Sequence, residues 1–98
     1  MGYDFSKKYM DKWAMDQFAA LDKDIGSQYG NVVRAIPISN REYQHRYDKL
    51  KDSRNMRPPP SSGRIFPGYL VIRKLGTKQE YETWIPGDAF EEMYKAIE

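Results

Sequence analysis

Tyr43, Arg46 and Tyr47 stand at i, i+3 and i+4. On a helix they share one face, where a planar guanidinium can grip a phosphate through two parallel bonds beside rings able to stack on a base. Arg54, Arg57 and Arg64 follow in a stretch with no acid among them. Together the six make a candidate site for an anionic small molecule such as a nucleotide. The same side chains suit nucleic acid, with arginines neutralising phosphates and tyrosines stacking on bases. Tyr43 and Tyr47 also lie on the apolar stripe of their helix, so site and core claim the same rings.

Catalysis finds little to work with. His45 is the single histidine, and it falls on the polar flank of the same helix with no partner arrangement around it. With no cysteine, thiol chemistry, thiolate metal sites and disulfides are excluded. Gly26 and Gly30 do not make a dinucleotide pattern, and Asp22 and Asp24 lack the remaining ligands of a calcium loop. The expectation is a non-enzymatic protein with no metal and no cofactor.

Net charge is only +2, but it is unevenly spread. Residues 34–64 hold eight Lys/Arg against three Asp/Glu, a net of +5, while the two flanks are slightly acidic. A nucleic-acid module usually shows a more basic balance, whereas a nucleotide needs only a local cluster. No apolar run approaches the ~18 residues of a membrane span, and MGYDFSKKYM lacks the apolar core of a signal peptide. A cytoplasmic protein is expected. Eight tyrosines among fourteen aromatics add amphipathic rings suited to contact surfaces.

The elements that must position these residues read as an α+β domain of 98 residues: a long N-terminal helix, an antiparallel sheet of about three strands, a middle helix and a short C-terminal helix. Residues 5–25 carry Tyr9, Trp13, Phe18, Leu21 and Ile25 on one stripe, with Gly26 placed to end the helix. Phe5, Met10 and Met15 widen that stripe beyond what a small sheet buries, which predicts a homo-oligomer. Residues 32–36 read as a strand that Pro37 keeps from running on as a central one. Ser39 and Glu42 form a capping box, with Ile38 and Tyr43 as its hydrophobic staple, so a helix is expected over 40–53. Residues 54–64, with three consecutive prolines, read as a flexible loop.

Tyr69–Leu75 and Glu80–Ile85 are rich in β-branched and aromatic residues and make a hairpin within 67–85, turning at Gly76-Thr77-Lys78-Gln79. The expected register pairs Arg73 with Glu82 and Val71 with Trp84 on a half-solvated face. Leu70 then meets Ile85 and Ile72 meets Thr83 under a helix over 89–97, capped by Asp88 and Glu91 and anchored by Phe90, Met93, Tyr94 and Ile97.

The run Pro67-Gly68-Tyr69-Leu70-Val71-Ile72, then Tyr81–Ile85, then Pro86 with Phe90-Glu91 and Tyr94, resembles the ending of small tailed-phage and prophage accessory proteins. Val33-Arg34-Ala35-Ile36 is similar to their upstream strand. The resemblance covers about a third of the chain. It implies a phage accessory protein without assigned catalytic residues. The function expected beside it is capture of an anionic ligand such as a nucleotide signal, or masking of a host defence protein. Nucleic-acid binding is the alternative. Should the arginines not act, the contact surface passes to the hairpin around Tyr69, Arg73 and Trp84.

Overall fold

The structure, a computed structural model, describes residues 15–60 and 63–97. Its elements run β1 (Asp16–Ala20), α1 (Lys23–Tyr29), β2 (Val32–Ser39), α2 (Asn40–Leu50), β3 (Pro67–Arg73), β4 (Tyr81–Pro86), α3 (Gly87–Met93) and β5 (Tyr94–Ala96). The strands form one five-stranded sheet in the order β4-β3-β2-β1-β5, with every pairing antiparallel. Among the described residues no helix is long and apolar enough to cross a membrane.

Period-2 alternation divides the sheet's side chains between two layers. Ile36, Ile38, Leu70, Ile72 and Trp84 join Met15 beneath Tyr43 and Tyr47 of α2. Val33, Ala35, Tyr69, Val71 and Ile85 face Phe90 and Tyr94, with Phe18 and Ile25 beside them. Leu70, Val33 and Val71 are fully buried, each contributing roughly 1.5–3 kcal/mol.

From residue 15 on, the helix expected over 5–25 is replaced by a strand and a short helix. Asp16–Ala20 is a strand between β2 and β5, and the helix starts only after Asp22, whose carboxylate accepts from the Ile25 N–H at 2.9 Å. DQFAA has weak strand propensity, but Phe18 is paired on both sides and its ring meets Phe90 edge-on at 4.9 Å, so tertiary context decides. Gly26 lies inside α1, and Gly30, at φ 101, ends it. Phe5, Tyr9, Met10 and Trp13 lie outside the described residues. Met15 and Phe18 pack in opposite layers, so the surplus apolar stripe on which the oligomer expectation rested does not exist in that form.

Three further corrections follow from local geometry. β2 continues through Pro37 to Ser39; among the described residues β1 pairs with it only as far as Ala35, so Pro37 breaks no β1 ladder there. The hairpin slips by one residue: Arg73 pairs with Tyr81, Ile72 with Glu82, Val71 with Thr83 and Leu70 with Trp84. Lys74, at φ 55, leaves the strand early, and the loop bonds to itself through Thr77 Oγ1 to Lys74 O and Gly76 N to the Glu80 carboxylate. A one-residue slip exchanges faces, which moves Glu82 and Trp84 under α2. Finally, α3 covers Gly87–Met93 with no side-chain cap from Asp88, and Tyr94 at φ −138 turns the chain out to pair with β1.

The middle helix starts as expected. Ser39 Oγ accepts from the Glu42 N–H at 3.1 Å, and Glu42 Oε1 from the Ser39 N–H at 3.0 Å. It ends at Leu50 rather than residue 53.

Candidate functional site

The structure sends the six sequence-derived site residues to different tasks. Arg46 is fully buried, and Tyr43 with it. The Arg46 guanidinium donates from Nε and Nη2 to the two Glu82 carboxylate oxygens, at 2.7 and 3.1 Å. Arg54 Nη1 reaches the same carboxylate at 3.1 Å. One acid thus holds two of the arginines.

Around Glu82 the loop after α2 is pinned rather than free. The Glu82 N–H donates to Asn55 O at 2.9 Å and the Arg57 N–H to Glu82 O at 2.8 Å, which makes a short parallel bridge between Met56 and Glu82. The Tyr43 hydroxyl donates to Arg57 O at 2.6 Å. Burial, reinforced by the Glu82 carboxylate, pushes the Tyr43 phenol well above its ordinary range, so it acts as a donor and not as a base. The Arg57 guanidinium lies on the Tyr81 ring, 4.4 Å from its centroid. Tyr47 is half-buried beside Tyr43. Arg64 is exposed, and its carbonyl accepts from Asn40 Nδ2 at 2.9 Å. Core and strap therefore claim Tyr43 and Arg46, and only Arg54, Arg57 and Arg64 offer side chains at the surface.

A different surface is assembled at the end of the sheet where β2 finishes and β3 begins. Ile65 and Phe66 are 61% and 44% exposed. They are held there: Asn40 bonds Arg64 O and the Phe66 N–H through its side chain and Phe66 O through its backbone, at 2.9, 2.7 and 3.1 Å. Phe66 lines a groove of about 420 Å³ with Pro60, Pro67, Trp84, Pro86 and Asp88. Ile65 lines a second, shallow groove of about 440 Å³ with Pro37, Ile38, Glu42 and Pro67. Trp84 is locked in place: its indole N–H donates to Ile38 O at 2.9 Å, and Gly68 lies so close to the ring that a side chain there would collide with it.

At the opposite end of the sheet a polar cavity of about 360 Å³ lies between Ser27, Asn31, Lys74, Thr77 and Gln79. Its cation is already engaged, Lys74 Nζ reaching Gln79 Oε1 at 3.4 Å. Among the described residues no three His, Asp or Glu side chains gather to hold a metal.

Asn40, Ile65, Phe66 and Pro86 were not among the site residues expected from the sequence. The available signal was two large apolar residues, Ile65-Phe66, standing just before the first strand residue rather than within it.

No protein-family model, curated protein or solved structure significantly matches the chain.

Proposed function

We propose that this chain is a non-enzymatic binding protein that masks another protein with the apolar end of its sheet. The observation that supports the reading is the Asn40 clamp, which holds Ile65 and Phe66 out in solvent, each lining a groove. Large apolar side chains fixed at the surface beside preformed recesses have the character of an interface hot spot, since little ordering entropy remains to be lost on contact. The resemblance to phage accessory proteins would make the partner a host protein. The test is a comparison of proteins retained by the immobilised wild type and by an Ile65→Asp/Phe66→Asp variant. A partner kept by the first and lost by the second, at unchanged melting temperature, supports masking; an identical retained set contradicts it.

A second reading, capture of an anionic small molecule such as a nucleotide, draws on the exposed Arg57, whose guanidinium lies over the Tyr81 ring with its backbone pinned to Glu82. Arg64, exposed at the far end of the same loop, would add a second cation. Nucleic acid is less well served, because Glu82 already neutralises part of the charge of Arg46 and Arg54.

A further inference from the structure

We infer that the apolar end takes its partner as an extended peptide, one that adds to the outer edge of β4 at Trp84 and carries a lysine or arginine to meet Asp88. This rests on the masking reading and specifies what is masked.

The edge is open for a reason that can be traced residue by residue. β4 is the outermost strand of its side of the sheet. Both backbone groups of Glu82 point outward, to Asn55 O and from the Arg57 N–H, so by alternation those of Trp84 point outward as well. Continued in the same parallel register, the strap would present Arg57 O to the Trp84 N–H and the N–H of residue 59 to Trp84 O. Arg57 O instead accepts from the Tyr43 hydroxyl, and residue 59 is a proline, which has no N–H to give. The ladder stops there. Among the described residues nothing hydrogen-bonds the outward groups of Trp84.

Trp84 of this interrupted edge lines the groove together with Pro60 of the strap and with Phe66, Pro67, Pro86 and Asp88, which lie side by side where Gly68 pairs with Pro86. An extended segment entering the groove meets a donor and an acceptor on Trp84, as in β-strand addition, and an apolar recess for one side chain. The charged group lining it is the exposed Asp88 carboxylate, which has no ion-pair or hydrogen-bond partner among the described residues. Charge complementarity therefore calls for a cation on the incoming chain.

The test pans a displayed library of random linear peptides against the full chain. Enrichment of sequences with alternating apolar residues and a Lys or Arg is expected, their affinity falling at least about tenfold on Asp88→Lys. Resynthesised with single N-methyl groups, such a peptide should lose binding at the residue facing Trp84 O and keep it at the neighbours, whose N–H groups point away. Failure to enrich any peptide, or enriched peptides indifferent to Asp88→Lys and to N-methylation at every position, overturns the inference. If partner retention is still lost in the Ile65→Asp/Phe66→Asp variant while no peptide binds, masking stands and the partner presents a folded surface instead.

Discussion

Arg46 of α2 and Glu82 of β4 meet in a buried side-on pair, Nε to Oε1 at 2.7 Å and Nη2 to Oε2 at 3.1 Å. Replacing one partner leaves the other charge buried and uncompensated. Glu82→Ala should therefore cost roughly 3–5 kcal/mol in urea denaturation. Arg54→Ala, which removes the exposed cation from the same carboxylate, should cost less than about 1 kcal/mol. Equal losses would mean that the strap, not the buried pair, secures α2.

Ser39→Ala removes one half of a capping box present in both directions, and should lower stability by about 1 kcal/mol. A thermal or urea unfolding curve superimposable on the wild type would show that α2 does not depend on it.

Much of this local chemistry was legible in the sequence, and the limits of that legibility are physical. Ser39 and Glu42 declare the start of α2 because a cap is decided within four residues. β1 was invisible because DQFAA becomes a strand only when β2 and β5 flank it, and β5 lies at the far end of the chain. The hairpin register turned on Lys74 entering the left-handed region at φ 55, which no pattern of apolar residues announces. That single slip also hid the partner of Arg46. In the expected register Glu82 faces Arg73 across a solvated face. In the actual one it lies under α2, where it takes Arg46 out of any ligand site.

Gly68 is packed flush against the Trp84 ring and the Ile85 carbonyl. Gly68→Ala should destabilise by roughly 1–3 kcal/mol through overpacking, and it should shift the indole fluorescence. A neutral substitution would show that Trp84 has room to move and that the groove is not preformed.

Burial raises the phenols of Tyr43 and Tyr94 above their ordinary value of 10.0. The unfolded chain then releases these protons first as pH rises, so it binds fewer protons than the native state and stability must fall. Denaturation midpoints should be insensitive to these two groups below about pH 10 and decline above it, by about 1.4 kcal/mol per pH unit for each tyrosine still protonated in the fold. Tyr94→Phe should flatten the decline, because burial of this phenol outweighs the opposing pull of the Arg73 guanidinium beside it.

The most direct test of the account sets two double variants side by side: Ile65→Asp/Phe66→Asp at the apolar end, and Arg57→Glu/Arg64→Glu on the loop. All four residues are exposed, so both variants should melt within a few degrees of the wild type. Quantitative mass spectrometry of what each immobilised protein retains from a cell extract, proteins and small molecules together, then separates the readings. The apolar-end variant should lose a protein that the arginine variant keeps. Loss of a bound nucleotide by the arginine variant alone, with the retained proteins unchanged in both, would contradict it.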